Sequence, residues 1–174
     1  MDKKEIQLES EVIFDGHVIH VRKDKVLCPN GQESYREIVD HRGGVAVLAL
    51  IDNKVVMVKQ FRYAYGEELY EIPAGKIEPN EDPYITGKRE IEEETGYHVE
   101  ELIHLGNIYP SCGYTNEIIH LYFAKNLVKK ETHFDEDENI DTFLIEYDEV
   151  LRMIKDGTIK DAKTICAIQY YQNL

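Results

Sequence analysis

Tryptophan is absent from this chain, and cysteine and proline are scarce, at three and five residues. Cys28, Cys112 and Cys166 are scattered and odd in number. That excludes a disulfide framework and fits a reducing compartment, so a cytoplasmic location is expected. The opening Met-Asp-Lys-Lys-Glu-Ile-Gln has no apolar region of the signal-peptide kind. No apolar run approaches the ~18 residues that span a membrane, so no membrane partner is expected. Positive charge is in short supply as well. Lys and Arg number 20 against 34 Asp and Glu, a net charge of −14. Such a field repels a nucleic-acid backbone, which excludes that partner. It also repels small anions, so a phosphate ligand would need local arginine, lysine or metal to hold it. The seven histidines show no pairing of the metal-binding kind.

What the chain does have is 43% apolar residues over 174 positions. That is enough for one globular domain with a real core and room for a small appendage. Residues 10–27 read as two short strands about a turn at Asp15-Gly16, and residues 34–39 as a third after Pro29-Asn30-Gly31. Gly43-Gly44 breaks the pattern. Residues 45–51 and 55–60 are apolar runs joined by Asp52-Asn53, which predicts a hairpin. A short strand is expected over 69–72. Asp82 suits a helix N-cap, Pro83 the first helical position and Gly96 the stop. Gly87 would lie mid-helix, at a cost of about 1 kcal/mol relative to Ala. Close packing on a strand would account for it. Strands are expected over 104–109, 118–124 and 142–146, and helices over 147–156 and 161–172. Strands around one central helix, with helices at the end, predict an α+β or layered α/β/α domain.

Within the central helix, Glu90, Glu93 and Glu94 fall at spacings i, i+3 and i+4. Those side chains share one face. Like charges so placed cost about 0.2–0.5 kcal/mol per pair unless a cation sits on them. Hard divalent cations bind through several carboxylate oxygens, and Mg²⁺ is commonly shared with substrate phosphates. The pattern therefore points to a metal site for phosphate chemistry. The bland alternative is a solvated acidic helix with an Arg89–Glu93 ion pair.

The same segment resembles the Nudix box: Gly75, five residues, Glu81, seven residues, Arg89-Glu90-Ile91, one residue, Glu93-Glu94, one residue, Gly96 and Tyr97. The last slot is usually aliphatic. Seven fixed identities make a chance match about 10⁻⁸ per window at ordinary residue frequencies. Flanking segments are similar to the ADP-ribose pyrophosphatase branch. They are Tyr35-Arg36-Glu37, Gln60-Phe61-Arg62-Tyr63, Glu71-Ile72-Pro73-Ala74-Gly75 and Asp161-Ala162-Lys163-Thr164-Ile165. One departure stands out. Cys112 occupies the position, fifteen residues beyond the box, where the branch usually has proline.

The resemblance implies a Nudix α/β/α sandwich with a mixed sheet over residues 41–174. Residues 1–40 would be an additional β-strand region and dimerisation element. It implies Mg²⁺-dependent hydrolysis of ADP-ribose to AMP and ribose 5-phosphate, with Mn²⁺ as a possible substitute. Glu90 and Glu94 would bridge metal, Glu93 would support them and the Ala74 carbonyl would complete a site. Glu81 would lie nearby, and Arg89 would orient the carboxylates by ion pairing. The general base would be Glu136, with Glu138 as the close alternative. Arg36 and Arg62 would contact phosphate and nucleotide, and Glu117 the terminal ribose or a water. Adenine would lie near His17-Val18, with Tyr63, Tyr109 and Tyr114 as other stacking candidates. The expected partners are a nucleotide sugar and a second copy of the chain with exchanged strands, which would carry the His17-Val18 region to the other subunit's site. Cys112 keeps another nucleoside diphosphate sugar open as substrate. A non-catalytic ligand sensor of the same fold would tend to have lost box carboxylates, and Glu81, Glu90, Glu93 and Glu94 are all present.

Overall fold

In the computed structural model, residues 3–129 and 141–174 are described. The acidic stretch carrying Glu136 and Glu138 lies outside them. Ten strands and three helices follow in chain order: β1 (Ile6–Asp15), β2 (His20–Leu27), β3 (Glu33–Asp40), β4 (Gly44–Ile51), β5 (Lys54–Arg62), β6 (Glu67–Glu71), β7 (Ala74–Lys76), α1 (Pro83–Thr95), β8 (Tyr97–Ile108), β9 (Ile119–Lys129), β10 (Asp141–Glu146), α2 (Tyr147–Lys155) and α3 (Ala162–Tyr171).

The apolar runs of β4 and β5 are buried on both faces, as strands sandwiched between helices must be. Side chains alternate between the faces. Ala46, Leu48, Val55 and Met57 enter one core with Val150, Met153 and Ile168 from α2 and α3. Val45, Val47, Ala49 and Val56 enter a second core with Ile91 of α1. The main sheet runs β10-β5-β4-β9-β8, with β6 paired to β5 and β7 to β4. It is mixed, because β4 and β9 are parallel while the other pairs are antiparallel. This is the expected α/β/α arrangement. The β4–β5 turn has Asp52 and Asn53 at φ 47° and 64°, the left-handed pair that a two-residue hairpin requires.

Helix α1 is defined by its ends. The Asp82 carboxylate accepts from the Tyr84 N–H, Pro83 opens the helix, and Gly96 closes it at φ 72°. Gly87 is the point of close approach to the sheet. A Cβ there would lie 3.0 Å from Leu102 Cδ1 and 3.1 Å from Val45 Cγ1. The chain turns straight from Gly96 into β8, seven residues earlier than the sequence pattern suggested. The paired acids Glu100-Glu101 hide the alternation there, and the β8–β9 register shifts between His104 and Gly106.

Strands β1, β2 and β3 form a separate antiparallel sheet. Every residue of β1 is exposed, including Ile6, Val12, Ile13 and Phe14. The sheet meets the main body at a short seam. Val39 N–H donates to Tyr114 O at 2.7 Å, and the Asn116 side chain bridges the His41 N–H and Asp40 at 2.9 and 2.7 Å.

Candidate active site

Three short connections and one helix face build the site. At the end of β6 the chain runs through Ile72 and Pro73 into β7. There Val47 N–H donates to Pro73 O at 2.8 Å, and Gly75 pairs with Val45. This fixes the 73–75 backbone against the face of α1 that carries the acids. Ala74 N–H donates to Glu94 Oε2 at 3.0 Å. Glu94 is 3% exposed, so that hydrogen bond helps hold a buried carboxylate in place. A Cβ on Gly75 would run into the carboxyl group of Glu90. Glycine is what lets that side chain lie across the strand.

Arg89 organises the acids. It donates to Glu81 through Nε and Nη2 at 3.0 and 3.1 Å, and to Glu93 through Nη1 at 2.8 Å. The same Nη1 is 2.8 Å from Glu90 Oε1. The paired hydrogen bonds from Arg89 pull the Glu81 carboxyl down to about 2. The same pairing, led by Glu81, raises the guanidinium, so Arg89 stays charged. Among the described residues, no three His, Cys, Asp or Glu side chains are already gathered around one point as a coordination sphere. The arginine shows why: it holds Glu90 and Glu93 by their oxygens.

Opposite the acids stands a cationic corner. Arg62 grips Glu71 with two hydrogen bonds of 2.6 Å. Lys163 also donates to Glu71, and to Asp161 at 2.8 Å. Glu71 is 1% exposed. Burial alone would push its pKa up, but Arg62 and Lys163 outweigh that and hold it below the ordinary carboxylate value. Thr164 locks the corner in place. Its hydroxyl accepts from Ile72 N–H at 2.9 Å and donates to Asp161 at 2.5 Å, tying the start of α3 to the end of β6.

Arg62, Lys163, Arg89 and the acids Glu90, Glu93 and Glu94 line one cavity of about 560 Å³, within the range of small-molecule sites. Of the residues singled out from sequence, it brings together Val18, Arg62, Ala74, Glu90, Glu93, Glu94, Glu117 and Arg89. Arg36 is elsewhere: its guanidinium pairs with Glu5 on the outlying sheet. Val18 lines the cavity of its own chain. Tyr63, Tyr109 and Tyr114 are exposed and do not line the cavity, and neither does Cys112. Lys163, His41 and Gln60 line it and were not singled out. For Lys163 the signal was present in the Asp161-Ala162-Lys163-Thr164-Ile165 match, which was read only as a helix start.

A partly buried acid face, an arginine that pairs with its carboxylates and two further cations across one cavity suit the chemistry of phosphate-containing small molecules. Residues 40–168 match the NUDIX domain family. The chain belongs to that family and is a Nudix hydrolase. It is 48% identical to a methanol dehydrogenase activator of Bacillus methanolicus, over 97% of this chain and 93% of that one. It is 42% identical to an ADP-ribose pyrophosphatase of Bacillus subtilis, with the same coverage. It is 34% identical to a GDP-mannose pyrophosphatase of Escherichia coli, over 79% of this chain and 77% of that one. A crystal structure of an ADP compounds hydrolase superposes with a TM-score of 0.86 over 98% of this chain and 93% of that one, at 17% identity, which speaks to the fold. Among the described residues no helix is long and apolar enough to cross a membrane.

Proposed function

We propose that this chain hydrolyses the pyrophosphate bond of ADP-ribose, giving AMP and ribose 5-phosphate, with Mg²⁺ bound at the acid face of α1. The observation that carries the reading is the pairing of Glu90, Glu93 and Glu94 with a cationic corner across one cavity. The donor set fits a hard cation. All the donors are oxygens, and Gly75 makes room for the Glu90 carboxylate where any side chain would fill the space. Glu90 and Glu94 would hold Mg²⁺, with Glu93 and the Ala74 carbonyl supporting, and Mn²⁺ could replace it. When bound, the ion supplies Lewis-acid polarisation of a phosphoryl oxygen and offsets charge.

The protein's own groups do the rest. Arg62 and Lys163 face the cavity and present charged N–H donors where an anionic substrate must enter. Glu71 fixes both cations, so their geometry is set before substrate arrives. Arg89 keeps the acids on one face at tolerable repulsion. The proton of the attacking water goes to a glutamate of the acidic stretch, Glu136 or else Glu138. Changing the base to Gln should lower kcat about 10²-fold with little change in KM. An effect from Glu138→Gln alone would shift the assignment by two residues. No effect from either would move it to Glu117.

The identity to a pyrophosphatase of ADP-ribose, at 42% over nearly the whole chain, supports this substrate. A second reading, another nucleoside diphosphate sugar, is favoured by the GDP-mannose pyrophosphatase relative. The departure at Cys112 bears on it less, because that residue lies off the cavity. A coupled phosphatase screen with Mg²⁺ tests both, using ADP-ribose, other nucleotide sugars, dinucleoside polyphosphates and nucleoside triphosphates. ADP-ribose should give the highest kcat/KM. Preference for GDP-mannose would establish the second reading, and hydrolysis of triphosphates alone would refute both.

The exposed apolar side chains of β1 and the placement of Arg36 support a homodimer. Exposed strand edges invite a second copy. Arg36, which does not reach its own cavity, would then serve the other subunit. Light scattering should give twice the 20.3 kDa chain mass. A chain starting at Arg42 should be monomeric and bind ADP-ribose more weakly. A monomeric, fully active full-length protein would refute the shared site.

A further inference from the structure

A second cavity, of about 430 Å³, adjoins the first and shares Val18, His41, Lys76 and Glu78 with it. Its remaining lining comes from His17, Arg42 and Ile77. The electrostatics differ from the first cavity. Two permanent cations, Arg42 and Lys76, face a single acid, Glu78. The chain has six arginines, and Arg22, Arg36, Arg62, Arg89 and Arg152 are all ion-paired. Arg42 has no ion-pair partner among the described residues, and neither does Lys76. Among the arginines Arg42 is therefore the exception.

The β4–β7 pairing, continued toward Arg42, sets that residue opposite Glu78, with Lys76 two residues along the same strand. Gly44 pairs with Lys76 in the β4–β7 register, and Ile77 N–H donates to Gly43 O at 3.3 Å. Two cations against one acid leave the lining of this cavity with an excess of positive charge, which an anion would balance. His41 lines the same cavity: its Nδ1 accepts from Gly43 N–H at 3.0 Å, which leaves the Nε2 N–H as a donor, and Nδ1 also lies 3.5 Å from Glu117 Oε1. A guanidinium fork, an ammonium and an imidazole N–H match the oxygens of a phosphate group.

We propose that this second cavity is a phosphomonoester subsite. It takes a phosphate that the nucleotide carries in addition to its pyrophosphate. The inference rests on the first cavity being the pyrophosphate site, since that is what brings the added phosphate to Arg42. The enzyme then favours nucleotide ligands phosphorylated on the ribose over their unphosphorylated counterparts.

Calorimetric titration of the full chain with adenosine 2′,5′-bisphosphate, adenosine 3′,5′-bisphosphate and AMP tests this. None of the three contains a pyrophosphate, so the titrations run with Mg²⁺ present and read binding without turnover. At least one bisphosphate should bind about tenfold more tightly than AMP, the size of one charged hydrogen-bond set at a partly exposed site. Arg42→Ala should erase that gain, and Arg42→Lys should keep part of it. Equal binding of all three ligands would overturn the proposal, as would a gain that survives Arg42→Ala. Failure of the pyrophosphatase reading would show separately, as absence of cleavage of any pyrophosphate substrate.

Discussion

Glu94→Gln should lower Mg²⁺-dependent turnover about 10³-fold, the effect of losing several kcal/mol of metal-derived transition-state stabilisation. The substitution removes one negative charge and keeps the shape. Gln can still accept the hydrogen bond from Ala74 N–H, which now measures 3.0 Å. Glu94 is buried, and its backbone carbonyl also receives the Thr142 hydroxyl at 3.1 Å, so α1 should stay docked on β10. Replacing a buried charge with a neutral amide should cost little stability, because the charge was itself expensive to bury. Steady-state kinetics across Mg²⁺ concentrations would show the loss, with circular dichroism as the folding control. Near-normal activity at saturating Mg²⁺ would rule out the acid face as the metal site.

Gly75→Ala should separate catalysis from stability. The added methyl falls where the Glu90 carboxyl group now lies. The strand cannot retreat, because Gly75 pairs with Val45 and its neighbours are pinned by Val47 N–H and by Glu94. The Glu90 side chain must swing away, and as the far end of a flexible chain it can do so at small cost to the fold. Displacing a reacting group by about 1 Å is enough to lose about 10²-fold in rate. The expected result is a kcat/KM about 10²-fold lower with a Tm within a few degrees of the parent. A variant that unfolds, or one as active as the parent, would contradict this role for Gly75.

The parts of the molecule that sequence made legible are those set by local chemistry. The caps of α1, the left-handed Asp52-Asn53 turn and the close approach at Gly87 each follow from one residue's conformational preference. The two-faced burial of β4 and β5 was visible as unbroken apolar runs. Long-range pairing was not legible. Arg62 sits opposite Glu67 in the β5–β6 register, which made Glu67 its natural partner. In the structure Glu67 accepts from Lys160 instead, and Arg62 turns to the buried Glu71. Lys163 reaches that same carboxylate across 92 residues of sequence, a separation no local pattern reveals. Arg36 was matched by its neighbours in sequence, which say nothing of its placement on a separate sheet. Arg42 stood unnoticed, because its distinction is the lack of an ion-pair partner among the described residues.

The central claim is that this cavity cleaves a nucleotide pyrophosphate with the help of a divalent metal. The most direct measurement is product analysis of ADP-ribose incubated with the full chain, with and without Mg²⁺. AMP and ribose 5-phosphate should form in equal amounts with no free inorganic phosphate, and both products should be lost when Mg²⁺ is chelated. Equal turnover in the presence of chelator, or release of adenine or inorganic phosphate in place of AMP, would contradict it.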